Sequence, residues 1–211
     1  MTLSWLGHSC FRLEGKEASL LTDPFSKEIG LRVPRIKDQV VLLTHDHYDH
    51  ANTEGAEPGT MIIRNPGEYE VKGVYIQGIP SFHDNAGGAE RGPNTIYCIK
   101  FEEVVFCHLG DLGQEVLDEK QLDFLGDVDV LMIPVGGKYT IGAKEAVKII
   151  GQIEPKIIIP MHYKVPDLKI DIEPVDKFLK EIGLVPEKLD KLKVSTKTLP
   201  QEEMKLVLLN F

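Results

Sequence analysis

The sequence is poor in cysteine, in positive charge and in long apolar runs. Its 211 residues include only three cysteines, an odd number without CxxC spacing, which argues against a disulfide framework and predicts reduced thiols in a cytoplasmic protein. Lysine and arginine number 24 against 33 acidic residues, giving a net charge of −9, and no basic run offers a surface to nucleic acid. No stretch approaches the roughly 18 apolar residues of a membrane span. The first residues, MTLSWLGHSCF, also lack the charged and then apolar pattern of a signal peptide.

Apolar segments separated by turn residues are present along the whole chain. With 42% hydrophobic residues, the chain is long enough to bury the core of one domain over residues 1–211. Continuous apolar runs predict buried strands at QVVLL (39–43), VDVLMIPV (128–135) and KIIIPM (156–161). Shorter strands are predicted between them and near the start of the chain.

Helical periodicity is found mainly in the second half of the sequence. Apolar residues fall on one face over 143–153 and again over 175–182, where Gly183 is placed to end the helix. Residues 84–94, DNAGGAERGPN, predict a polar, glycine-rich loop. Strands and helices in this arrangement predict an α/β fold with two sheets and the helices outside.

The segment THDHYDH (44–50) is the densest chemical feature of the sequence, with three histidines and two aspartates in seven residues. It follows the predicted strand QVVLL directly. In extended chain residues i and i+2 point to the same side, so His45 and His47 can reach one metal ion together. Asp49 and His50 come next, where a turn can direct them to a second ion. Imidazole and carboxylate groups suit zinc, manganese or iron.

Three further candidate ligands each come just after a predicted strand. His83 follows GIPSF, Asp111 follows VVFCHLG, and His162 follows KIIIPM. Strand ends gather sites in the same way in other α/β folds. Five of the seven histidines are thereby placed in one predicted metal centre.

These motifs resemble the metallo-β-lactamase superfamily. THDHYDH matches its HxHxDH signature, LGDLG with Asp111 matches a later ligand motif, and LLTDP carries an early aspartate, Asp23. The segments WLGHSCF, RGPNTIY and PMHYK resemble a narrower branch of metal-dependent hydrolases, which is similar to L-ascorbate-6-phosphate lactonase and N-acylphosphatidylethanolamine phospholipase D. The resemblance covers essentially the whole chain and implies a four-layer αββα sandwich with a dinuclear site at one edge.

The resemblance also implies a division of the ligands between two ions. The first would be held by His45, His47 and His83, and the second by Asp49, His50 and His162. Asp111 would bridge the two ions.

A metal-dependent hydrolase of a small ester, lactone or phosphodiester is the activity that the resemblance implies. The site would hold two divalent ions, with zinc expected and manganese or iron as the other choices. The two ions would lower the pKa of a shared water from ~15.7 towards ~7. Asp49 would be both a ligand and the group that orients this water or takes its proton. The alternative is a mononuclear iron oxidoreductase of the dioxygenase type on the same fold. The expected partner is a small-molecule substrate, and a homo-oligomer is left open.

Residues around the candidate ligands have supporting roles in this hypothesis. Asp23 and His108 would orient ligands through hydrogen bonds. His8, in LGHSC, would either line the site or make a structural hydrogen bond.

Three residues are predicted to contact the substrate. Asn94, in RGPNT, would donate a hydrogen bond to a developing oxyanion. Lys138, in VGGKYT, and Lys164, which follows His162 closely, would hold an anionic group, and Tyr139 and Arg91 are further candidates for this role.

Overall fold

A computed structural model describes all 211 residues of the chain, in two β-sheets and three α-helices. The strands are β1 (Thr2–Trp5), β2 (Phe11–Glu14), β3 (Ser19–Thr22), β4 (Val40–Leu42), β5 (Met61–Ile63), β6 (Gly67–Val71), β7 (Val74–Phe82), β8 (Pro93–Phe101), β9 (Val104–His108), β10 (Val130–Pro134), β11 (Ile157–Met161), β12 (Glu187–Leu189), β13 (Leu192–Lys193) and β14 (Lys205–Leu209). The helices are α1 (Glu119–Leu125), α2 (Ala143–Ile153) and α3 (Asp176–Ile182), with a short 3-10 helix at Lys27–Ile29.

The two sheets share one hydrophobic core. The first sheet has the strand order β13-β1-β2-β3-β4-β5, antiparallel from β13 to β3 and parallel from β3 to β5. The second has the order β12-β14-β11-β10-β9-β8-β7-β6, antiparallel from β6 to β9 and parallel beyond β9. A single cluster of 57 buried residues includes side chains from both sheets and all three helices, so the sheets are packed together. The predicted fold class is confirmed.

The predicted strands and helices are found, and the structure adds elements that were not predicted: helix α1 and the strands β6, β12, β13 and β14. Strands β4, β10 and β11 lie within the three predicted apolar runs, and all five residues of both β10 and β11 are buried. Helices α2 and α3 match the predicted spans, and Gly183 ends α3 with a φ of 70°. Helix α1 was not predicted, because its seven residues are mostly polar; its signal was the capping box of Asp118 and Gln121. None of the helices has the length and apolar composition needed to cross a membrane.

Strand ends bring the candidate ligands to one edge of the two sheets. Strands β4, β7, β9 and β11 each end within three residues of a predicted ligand, and β4 belongs to the first sheet whereas the other three belong to the second. The sheets are joined at this edge by a backbone hydrogen bond of 2.8 Å from Thr95 N–H to the Thr44 carbonyl. The segment after β4 is therefore fixed against strand β8.

Tyr97 makes a second connection between the sheets near the same edge. Its side chain is fully buried, and its hydroxyl donates a 3.0 Å hydrogen bond to the carbonyl of Leu43, just before THDHYDH. A buried carbonyl that loses its donor costs free energy, because no water replaces the bond.

We expect Tyr97→Phe to lower the free energy of unfolding by ~1–3 kcal/mol, since it leaves the Leu43 carbonyl unpaired. Tyr75, in the neighbouring strand β7, is 58% exposed and gives a matched control. Tyr75→Phe should change stability by less than about 0.5 kcal/mol. Urea unfolding followed by circular dichroism measures both variants, and equal stabilities would refute the role given to the Tyr97 hydroxyl.

Candidate metal centre

The seven predicted ligands lie together in the structure: six of them fall in two groups, and the seventh, Asp111, forms a third group with His45 and His50. In the first group, one nitrogen from each of His45, His47 and His83 lies within 4.8 Å of the others. In the second group the same limit holds for donor atoms of Asp49, His50, His162 and, in addition, His8. The two groups are adjacent, because the His45 and His50 rings are 4.3 Å apart between centroids.

Asp111 lies between the two groups. Its Oδ2 atom is 3.3 Å from His83 Nε2 in the first group. It is also 3.3 Å from His50 Nε2 and 3.1 Å from His162 Nε2 in the second. Zinc bonds of about 2.0–2.1 Å place two tetrahedral ligand atoms roughly 3.3 Å apart, so these separations fit donors that share an ion.

A tight turn directs the THDHYDH side chains towards one another. The N–H groups of His50 and Ala51 both donate 2.9 Å hydrogen bonds to the His47 carbonyl. The chain bends at Thr44 and His45 instead of continuing as an extended strand. The His45 and His47 rings nevertheless meet edge to face at 4.6 Å, as the i, i+2 spacing predicts.

Asp23 is linked by hydrogen bonds to a candidate ligand of each group, directly to His50 and through Thr44 to His45. It is fully buried and accepts hydrogen bonds from His50 Nδ1 at 3.1 Å, Thr44 N–H at 2.8 Å and Thr44 Oγ1 at 2.7 Å. Thr44 Oγ1 is also 3.0 Å from His45 Nδ1. Burial raises the pKa of Asp23, but the contact with His50 outweighs it and keeps the carboxylate charged. An anionic Asp23 therefore directs Nε2 of His50 towards Asp111.

Charge in the cluster follows from burial and from these contacts. Burial lowers the pKa of His45 well below its usual value, so its ring is neutral and can bind a cation. Burial also acts to lower the pKa of His50, but the nearby carboxylates of Asp111, Asp23 and Asp49 outweigh it and hold this pKa well above its usual value. Burial raises the pKa of Asp111, but its histidine neighbours outweigh this and hold the pKa well below the usual value.

The buried polar atoms fit a bound cation. His45 Nε2, His50 Nε2 and Asp111 Oδ1 are buried and have no hydrogen-bond partner in the protein. Buried polar groups are normally satisfied, and each one left unpaired is costly. Imidazole nitrogens and carboxylate oxygens that face one another are the donor set of zinc and related divalent ions. The residues present therefore fit a metal centre.

His108 and Asn94 hold the backbone around Asp111. His108 Nε2 lies 2.9 Å from the Ser9 carbonyl, and Nδ1 accepts from Gly110 N–H at 3.1 Å. Asn94 accepts from Asp111 N–H at 3.0 Å, and its amide donates to Ser81 and Leu109. Both side chains act on the Asp111 loop, and the Asn94 amide predicted for an oxyanion is already engaged within the protein.

The two predicted lysines are at the rim and have partners in the protein. Lys138 pairs with Asp171, which lines the cavity over the site. Lys164 donates to the carbonyls of Leu168 and Ile170, and so holds the segment on the cavity wall. Their predicted role in holding the substrate stays a prediction, and the structure shows them supporting the wall of the cavity.

A cavity of about 480 Å³ opens onto Asp49, Asp111 and His162. The cavity wall includes Glu28, Tyr48 and Lys169, which were not predicted, as well as Arg91 and Tyr139, which were candidates for holding an anionic group. Neither Glu28 nor Lys169 belongs to a motif, because the tertiary structure alone brings their loops to the site.

We expect Asp23→Asn to weaken metal binding about 10- to 100-fold, because the neutral amide no longer fixes the ring orientation and charge of His50. Chelator competition with a chromophoric zinc indicator measures the affinity. Asp38 is the matched control, since it is equally buried but pairs with Arg12 away from the site. Unchanged affinity in Asp23→Asn, or an equal loss in Asp38→Asn, would contradict the orienting role.

Comparisons of sequence agree with this geometry. A family model described as the β-lactamase superfamily domain matches residues 2–162. A protein named UPF0173 metal-dependent hydrolase from Pyrococcus horikoshii is 30% identical, over 97% of this chain and 99% of its own length. A protein of the same family name from Methanopyrus kandleri is 29% identical, over 87% of this chain and 94% of its own length.

A comparison of structures gives the same assignment. A crystal structure from Thermotoga maritima, of a protein proposed to be a zinc-dependent hydrolase of the metallo-β-lactamase superfamily, matches with a TM-score of 0.82 and 37% identity. The match covers 99% of this chain and 97% of the other. The chain therefore belongs to the metallo-β-lactamase superfamily and, within it, to the relatives named UPF0173 metal-dependent hydrolases.

Proposed function

We propose that this protein is a hydrolase with a dinuclear metal centre that cleaves a small ester, lactone or phosphodiester. The observation that carries the proposal is the position of Asp111, whose carboxylate lies within 3.3 Å of a histidine nitrogen in each of the two donor groups. In this proposal His45, His47 and His83 hold one ion, and Asp49, His50 and His162 hold the other. Asp111 is shared by both.

The chemistry that such ions supply is Lewis acidity, together with a lowering of the pKa of bound water to about 7. The chain's own part begins with Asp49. Burial raises the pKa of Asp49, but the hydrogen bond to His8 and the charges nearby lower it well below its usual value, so the carboxylate is anionic at neutral pH. Its side chain is 14% exposed towards the cavity, whereas that of Asp111 is 3% exposed. Asp49 is thus the carboxylate of the centre that is placed to orient the attacking water or take its proton.

Two cavities meet at the candidate metal centre. The second, of about 520 Å³, lies on the side of His45 and is lined by Arg64, Pro80 and Phe82. His47 and Arg91 line both cavities. A substrate whose reacting bond lies at the candidate metal centre has room for one part in each cavity. Arg91 would contact such a substrate near the reacting bond, because it lines both cavities.

Arg91 is presented by a fixed loop. Asp84 follows His83 directly, and its carboxylate accepts hydrogen bonds from the N–H groups of Ala86, Gly88, Glu90 and Arg91 at 2.7–3.0 Å. The Arg91 guanidinium lies 5.0 Å from the centre of the Tyr139 ring. It makes no hydrogen bond or ion pair within the protein that would compete with an anionic substrate. These contacts support a substrate with a negative charge near the reacting bond.

The test of the proposed function combines metal analysis with turnover. We expect the purified protein to bind about two zinc or manganese ions per chain and to hydrolyse members of a panel of lactones, carboxylic esters and phosphodiesters. His47→Ala should lower the metal content and abolish turnover, because the first donor group loses one of its three nitrogens. One iron per chain with oxygen consumption would favour the dioxygenase alternative. No metal, even after incubation with each ion, would exclude both activities.

The role of Arg91 is tested with a charged and a neutral substrate. We expect Arg91→Ala to raise KM for bis(4-nitrophenyl) phosphate up to about fivefold, as for a partly exposed charge pair. Its effect on 4-nitrophenyl acetate should be less than about twofold, because that ester carries no charge. Arg32, an exposed arginine that lines neither cavity, provides the control variant Arg32→Ala. Equal effects of Arg91→Ala on both substrates would show that Arg91 does not recognise the anion.

A further inference from the structure

His8 is built into the candidate metal centre, although it lies outside the THDHYDH motif and outside every strand. It follows β1 and is fully buried. Its backbone has a φ of 55°, a left-handed conformation that is costly for a residue with a side chain. Two hydrogen bonds hold it there, because its carbonyl accepts from the Trp5 indole at 3.0 Å and from His162 N–H at 3.1 Å. The chain therefore fixes His8 directly to a candidate ligand.

The imidazole of His8 faces the second donor group. Its Nε2 atom is 3.2 Å from Asp49 Oδ2. Its ring packs against His162, with 4.2 Å between centroids, and against His50, with 4.8 Å. The nitrogen lies within 4.8 Å of the donor atoms of all three residues.

The separation between His8 and Asp49 is that of two ligands on one ion. Two atoms bound tetrahedrally to zinc at about 2.0–2.1 Å are roughly 3.3 Å apart. The separations of Asp111 from His50 and His162, 3.3 Å and 3.1 Å, are of the same size. The other His8 nitrogen, Nδ1, is buried without a hydrogen-bond partner. The position of the ring is therefore explained by contacts on its Nε2 side.

We propose that His8 is a fourth protein ligand of the second metal position, beside Asp49, His50 and His162. This inference rests on the dinuclear centre of the proposed function. It gives the two positions different numbers of protein ligands. Besides the shared Asp111, the second would have four, and the first would have three, His45, His47 and His83. With fewer protein ligands, the first position would be the one with more room to bind water or substrate.

The experiment is a metal titration of His8→Asn, read by metal content and by the absorbance of bound cobalt(II). Asparagine tolerates a left-handed backbone, but its shorter side chain does not reach the second donor group. We expect the variant to retain one tightly bound ion and to bind the second at least tenfold more weakly. At saturating cobalt, the absorbance spectrum of the second position should shift, because one nitrogen donor is missing from the ion's ligands. His8→Gly, which relieves the backbone conformation entirely, should behave in the same way.

Ser9→Ala is the matched control. Ser9 is the buried neighbour of His8, and its hydroxyl has no hydrogen-bond partner, so the substitution removes no contact. We expect it to bind two ions with wild-type affinity. Thermal unfolding of the metal-free proteins shows that all variants are folded.

Two different failures can be told apart. If the spectrum of the second position at saturating cobalt is unchanged in His8→Asn and His8→Gly, whether or not the affinity falls, His8 only donates a hydrogen bond to Asp49, and the inference is overturned. If the wild-type protein itself binds a single ion, the dinuclear centre is overturned, and the result appears without any variant.

Discussion

The requirement to pair the buried Asp111 carboxylate is the constraint on which the rest of the site depends. Asp111 is 2% exposed, yet it is held anionic by the histidines around it. A buried charge without a partner is strongly destabilising. The carboxylate is balanced here by histidines that follow three separate strands, β4, β7 and β11, and buried atoms such as His45 Nε2 have no hydrogen-bond partner in the protein. Metal binding and the local stability of this edge are therefore coupled.

The buried residues with a strained backbone conformation all lie at the candidate metal centre. Nine residues other than glycine have a positive φ, and the three of them that are buried are His8, Asp23 and His162. Each is held by hydrogen bonds that involve the site: the His8 carbonyl accepts from His162 N–H, and the Asp23 side chain accepts from His50 and Thr44. Such conformations persist only where the surrounding structure determines them. These conformations cost free energy, but they point the side chains in directions that regular strands do not provide.

The candidate metal ligands and the residues that face the cavities lie on different kinds of segment. Strand ends from both sheets carry the candidate ligands, whereas loops carry the groups that face the cavity. The loop from Asp84 to Arg91 is the clearest case, because one carboxylate gathers four N–H groups and leaves the arginine side chain without a competing partner. Loops of this kind can differ between relatives while the metal ligands stay in place.

Local sequence patterns were enough to predict the type of site and most of the strands and helices around it. The run QVVLL followed by THDHYDH, and later histidines and an aspartate after other apolar runs, indicated strands that end in metal-ligating side chains. These features are local, since alternation, apolar runs and motif spacing are properties of neighbouring residues. Helix α1 was missed because a short, polar helix lacks an apolar face, although its capping box was legible.

Which side chains contact one another depends on the packing of distant segments. His8 is 41 residues from Asp49, and His108 is 99 residues from Ser9, and no local pattern reports such contacts. The same holds for Asn94 and Lys164, whose polar groups are engaged within the protein once the loops are folded. A side chain's residue type states what it can donate or accept, but its partner depends on which strand ends the two sheets bring together.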